Sequence, residues 1–136
     1  MNRFQLRLLD SQGTRDIDQV EAFVGSDLSG SFSIWANHQR FITVLEFGLA
    51  RYRCADDLWC YIAVPGAVLQ FDANQLQLIS RRFIIDSDYQ RISQLLTEQL
   101  LAEEQVLQET KRSLRHMEEQ LIRQLWQRMS SSEGVR

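Results

Sequence analysis

Asp88 and Arg91 stand three residues apart, a spacing that brings two side chains together on one helical face. A carboxylate and a guanidinium so placed most simply cap the helix and pair with each other. His38 and His116 fall in different segments, and no carboxylate is spaced to orient either one, so neither reads as part of a base dyad or a ligand set. Cys54 and Cys60 have no further cysteine or neighbouring histidine, which argues against both a zinc site and a disulfide framework and leaves two packing thiols. Gly25-Ser26-Asp27-Leu28-Ser29-Gly30 is flanked by glycines but lacks the Lys and following Ser or Thr of a nucleotide-binding loop. With no nucleophile beside a base, no metal cluster and no phosphate loop, the residues point to a non-catalytic protein without a cofactor. What remains distinctive is Gly30 to Phe41, GSFSIWANHQRF, where Trp35, Asn37 and His38 share one short turn between apolar runs.

The elements that must carry these residues fall into two periods. Up to residue 86 short alternating runs are broken by turn chemistry. Phe4, Leu6 and Leu8 alternate with Gln5 and Arg7, and Val20, Ala22 and Val24 alternate with Glu21 and Phe23. Further strands are predicted around Phe32 and over residues 49–54, 59–64, 68–71 and 76–79. They are separated at residues 10–13, 25–30, 48, 55–57, 65–66 and 72–74. Turns at roughly ten-residue spacing favour an antiparallel β-sandwich.

After Asp86 the period becomes helical. Ser87 with Gln90 has the form of a capping box, and no Gly or Pro interrupts residues 88–129. Ile92, Leu96, Leu100, Leu107, Leu114, Met117, Leu121 and Leu125 follow three- and four-residue steps, broken by Glu103 and Thr110. The fold class is therefore α+β: a sandwich over 1–86, a long helix or helical hairpin over 87–130, and a polar tail at 131–136. Residues 88–109 carry five acids and Arg91, whereas residues 110–136 carry six bases and three acids, an arrangement that suits the helix dipole.

Composition narrows the partners. The 136 residues are 44% hydrophobic, enough for one core plus an added element. Lys and Arg total 15 against 18 Asp and Glu, so no basic excess recommends nucleic acid. No apolar run approaches the roughly 20 residues needed to cross a bilayer, and Met1 opens onto polar residues without a signal segment. The expectation is a soluble chain retained in a reducing cytoplasm.

The order of parts resembles the epsilon subunit of rotary F-type ATP synthases. That family has a loop reading Gly, variable, apolar, Gly, Ile, variable, Pro, Gly or Asn, His, variable, Pro. Gly30, Phe32, Ile34, Asn37 and His38 match it, while Ser33, Ala36 and Arg40 replace a Gly and two Pro, which implies a less rigid loop. Leu45-Glu46-Phe47-Gly48, then Pro65-Gly66-Ala67-Val68-Leu69-Gln70-Phe71, and the opening Phe4-Gln5-Leu6-Arg7-Leu8-Leu9 continue the likeness in order. The departures point to a divergent branch such as the alternative, sodium-translocating form.

The resemblance implies a non-catalytic rotor subunit at the cytoplasmic face of the bacterial inner membrane. It would bind the gamma subunit and rest on the c-ring, touching the membrane only indirectly. Ser31 would face the c-ring and His38 the gamma contact, with Phe32 and Trp35 as aromatic anchors or as ordinary core residues. The helix would fold down, or extend to meet the alpha/beta catalytic subunits through Arg112, Arg115, Arg123 and the apolar Trp126, inhibiting hydrolysis. Some relatives bind ATP where Asp88 and Arg91 lie, although this chain lacks the residues that flank that pair in the family. A different class of reading is a sandwich adaptor that dimerises through Leu100, Leu107, Leu114 and Leu121 at heptad spacing, against which Glu103, Thr110 and Gln124 stand.

Overall fold

The computed structural model describes residues 2–134. Among these residues nine strands run in chain order as β1 (Phe4–Asp10), β2 (Gly13–Asp27), β3 (Gly30–Trp35), β4 (Phe41–Leu45), β5 (Gly48–Cys54), β6 (Trp59–Val64), β7 (Ala67–Asp72), β8 (Gln75–Ile79) and β9 (Ile84–Asp86). Hydrogen bonding orders them β4-β7-β8-β1-β2-β5-β6-β9, with β3 on β2, and every pair is antiparallel except β1 with β8. The 15-residue β2 belongs to both layers of the sandwich. Its first half pairs with β1, its second half lies between β3 and β5, and the register slips where it passes from one to the other. Gln19 sits at that slip with φ 62°, the kind of bulge that bends a strand from one sheet to the next.

Alternation decides what lies between the layers. Phe4, Leu6 and Leu8 of β1 face inward with Phe23, Ile34, Ile62, Leu69, Phe71, Leu76 and Leu78, all buried. Phe4 and Phe71 meet edge to face with centroids 5.6 Å apart. Cys54 and Cys60 pack against this same core, and burial pushes the Cys54 thiol above its ordinary pKa, which suits packing better than nucleophilic chemistry. Two strands were not predicted. β4 was hidden in a run that is apolar at odd and even positions alike, and β9 has only three residues.

Beyond β9 the helical backbone begins at Asp88 rather than at Ser87. The Asp88 carboxylate accepts the N–H groups of Gln90 and Arg91, at 3.0 and 3.2 Å, whereas Asp86 takes the N–H of Asp88. The cap is therefore the Asp88 carboxylate and not the Ser87 hydroxyl. α1 (Tyr89–Leu95) leads through a π-helical turn, Leu96–Leu100, into α2 (Leu101–Gly134). Ile92 and Leu100 are buried against Ala63 on the outer side of β6, with Leu49, Ile84 and Leu96 around them. With no Gly or Pro to break it, the helix does not fold back as a hairpin. It continues through residues 131–134, where a polar tail was expected. The last two residues of that expected tail lie outside the described residues.

The chain divides into two compact units, Met1–Leu101 and Ala102–Arg136. The first holds both apolar clusters. The second is a single helix, and its apolar residues Leu114, Met117, Leu121, Ile122, Leu125, Trp126 and Met129 are all exposed.

Candidate docking surfaces

The stretch from Trp35 to Phe41 is built around Asn37 and Asn74. Asn37 takes a left-handed φ of 62°, which asparagine tolerates better than most residues. Its N–H donates to the Asn74 side-chain oxygen at 2.8 Å, while the Asn74 amide donates to the Arg3 carbonyl at 2.8 Å. The His38 N–H closes a turn onto the Trp35 carbonyl at 3.1 Å. Ala36 and Arg40 stand where the family pattern has prolines, and side-chain clamps from a neighbouring hairpin tie the loop down instead.

His38 is half-buried. Its ring meets Phe41 and Phe71 edge-on, with centroids 5.8 and 5.9 Å away, and its Nδ1–H donates to the Gln39 carbonyl at 2.7 Å. Phe32 is likewise drawn inward, its ring 5.4 Å from that of Phe41. Trp35 lies on the opposite face of β3 and is 54% exposed, and Ser31 is exposed at the other end of that strand. Of the four predicted loop contacts, the structure therefore leaves two open to a partner and turns two into packing.

The predicted pair Asp88 and Arg91 does not converge on a ligand. Asp88 is the helix cap, and Arg91 forks onto Asp86, with Nε and Nη2 donating to the two carboxylate oxygens, the latter at 3.0 Å. That fork, added to the N–H of Asp88, holds the Asp86 carboxyl below the usual carboxylate range. On α2, Arg112, Arg115 and Arg123 are exposed, and Trp126 is 66% exposed. Among the described residues no three His, Cys, Asp or Glu side chains gather as metal ligands, and no helix is long and apolar enough to cross a membrane.

Sequence reasoning missed two surfaces. The first is a row of apolar side chains straight across four strands. Leu9 pairs with Ile79, Ile79 with Val68 and Val68 with Val44, all on the outer face of one layer, with Ile42 one step along β4. Val44, Ile79 and Val68 are all exposed, Val44 most of all at 62%. The next row is polar, Gln70-Gln77-Arg7-Asp16, closed by an Arg7 to Asp16 ion pair at 2.8 Å. The signal was present in Phe41-Ile42-Thr43-Val44-Leu45, because a strand that is apolar at both parities must show one apolar face outside its own core.

The second surface lies on the outer face of the other layer, where indoles and guanidinium groups alternate. Arg53 lies 5.8 Å from the Trp35 ring and 5.4 Å from that of Trp59, and Arg51 stacks on Trp59 at 4.7 Å. Glu21 and Asp57 approach Arg53 Nε at 3.6 and 3.4 Å. Cross-strand pairing of Arg53 with Trp59, and of Trp35 and Arg53 with the same Ala22, produces this ladder.

Comparison with known proteins places this geometry. The chain is 26% identical over 110 residues to the ATP synthase epsilon chain 2 of Cereibacter sphaeroides, covering 80% of this chain and 75% of that one. Its fold is similar to chains in the Euglena gracilis mitochondrial ATP synthase (OSCP/F1/c-ring) and the Tetrahymena thermophila mitochondrial ATP synthase (central stalk/c-ring). For the Euglena chain the TM-score is 0.58 at 13% identity, covering 72% of this chain and 64% of that one. For the Tetrahymena chain it is 0.51 at 12% identity, covering 62% and 69%. Residues 3–86, the sandwich described above, match the family of the ATP synthase delta/epsilon chain, beta-sandwich domain, and the chain belongs to that family.

Proposed function

We propose that this chain is the epsilon-type subunit of an F-type ATP synthase rotor, joining a gamma subunit to the c-ring so that ion flow through the ring is coupled to ATP synthesis or hydrolysis. It acts mechanically rather than catalytically. Its membrane association is indirect, at the cytoplasmic face of a bacterial inner membrane. The observation that carries the reading is the apolar row Leu9-Ile79-Val68-Val44 on a sandwich of this family, since a lone soluble domain gains nothing by showing water three aligned apolar side chains beside a half-buried fourth. In this reading the gamma subunit covers that row, and the turn leading to Ser31 meets the c-ring. His38 supports the gamma contact from behind by fixing Phe41. Arg112, Arg115, Arg123 and Trp126 serve a contact with the alpha/beta catalytic subunits that restrains hydrolysis. Asp88 and Arg91, committed to the cap and to Asp86, leave an ATP role without a free anion-binding pair.

Co-purification tests it: the tagged chain, extracted from membranes in mild detergent, should bring gamma and c-ring subunits in stoichiometric amounts. Val68→Asp should abolish that recovery while the purified variant keeps its fold, because an exposed position tolerates the charge. A solitary tagged protein, or undiminished recovery with the variant, overturns the proposal.

A further inference from the structure

We infer that the outer face of the β3-β2-β5-β6 layer is a second docking site, for an extended protein segment that places an Asp or Glu carboxylate on Arg51 beside an apolar or aromatic side chain. This goes beyond the rotor reading, which uses only Ser31 of this layer and otherwise the opposite one. Its floor is made of small side chains, Val24, Gly25, Ser26 and Ser31, with Ser31 paired to Ser26. One wall is taller: Arg51 pairs with Tyr61, whose ring meets Tyr89 at 5.3 Å. The resulting groove encloses about 280 Å³. Tyr89 is 57% exposed although the residues beside it on α1 belong to a buried cluster.

Charge selects the occupant. Arg53 has Glu21 and Asp57 nearby, and Arg3 has Glu21 at 3.5 Å. Arg51, exposed at the groove wall, has no carboxylate partner among the described residues. Stacking by its face on Trp59 orients the guanidinium and leaves a planar edge for in-plane hydrogen bonds, the geometry that reads a carboxylate. A partner bringing one acid therefore completes the ladder, while its apolar neighbour gains the tyrosine wall. Nucleic acid and anionic lipid suit the site less well, because Glu21, Asp56 and Asp57 lie on the same end of the layer.

The test uses the full chain and two synthetic peptides, N-acetyl-Leu-Glu-Phe-amide and its Gln counterpart, followed by amide and indole NMR shifts. The Glu peptide should give saturable shifts at Arg51, Tyr61, Tyr89 and the Trp59 indole. The Gln peptide, or Arg51→Gln with the Glu peptide, should bind about tenfold more weakly or worse, as expected for one charge-assisted contact. Equal binding by both peptides, shifts confined to other faces, no shifts at all, or equal shifts from phosphatidylglycerol vesicles through these residues would each overturn the inference. Because Arg51 is exposed, the variant's unperturbed amide spectrum verifies its fold.

Discussion

Leu78 in β8 and Leu121 in α2 are the same residue type, each in a periodic apolar pattern, yet one is fully buried and the other is 58% exposed. The difference lies in what each element can find within its own unit. A β-strand with an inward face meets a second layer through β2, which serves both. A single helix has no second element, so its stripe stays uncovered however regular it is. An apolar period thus specifies that a face needs burying, but not what buries it. The same contrast recurs inside the sandwich, where the inner rows are filled and the row from Leu9 to Val44 is left open.

The comparison is broken most forcefully by mutation at its buried end. Phe71→Ala removes a ring packed edge-on against Phe4 and His38 and should cost about 3–5 kcal/mol in urea denaturation of the isolated chain. A loss below about 1 kcal/mol would mean that the two layers are not held by a close-packed core. A smaller effect separates the start of the helical segment from its remainder. The Arg91 fork keeps the folded Asp86 pKa below its unfolded value, so its contribution is present above about pH 4 and is lost as pH falls through the depressed folded value. Asp86→Asn should flatten the acid limb of the stability profile and reduce amide protection in α1 first, with the sandwich retained. Hydrogen exchange against pH reads both.

Much of this organisation was legible in the residues. Period-two runs located most strands, and the absence of Gly and Pro from residue 88 to 129 left a long helix or a hairpin, of which the structure has the long helix. The failures are equally physical. Ser87 lost the cap to Asp88, whose extended backbone aims its carboxylate at the N–H groups of Gln90 and Arg91. Ile92, Leu96 and Leu100 looked continuous with Leu107 onward, but the π-helical turn shifts the phase and only the first three enter a buried cluster. Phe32 was read as either a contact or a core residue and His38 as a contact, and pairing between distant strands leaves both half-buried against Phe41. The Arg53 and Trp59 ladder needed register, which a sequence without its pairings does not provide.

Trp126→Ala bears on the other end of the comparison and should have the smallest effect on the chain alone. Trp126 is 66% exposed, and Ile122 and Met129, one turn to either side, are exposed as well, so truncation removes no buried contact. Stability should change by no more than about 0.5 kcal/mol in the same denaturation experiment. An indole kept in water by one molecule is available to another, and aromatic anchors supply a large share of interface energy. In the assembled synthase the substitution should therefore loosen the helix's contact and raise the ATP hydrolysis rate, while recovery of the sandwich with gamma persists through the apolar row. Unchanged assembly together with an unchanged hydrolysis rate would mean that the exposed stripe of α2 has no partner, and that the two units differ only in what surrounds their apolar residues and not in purpose.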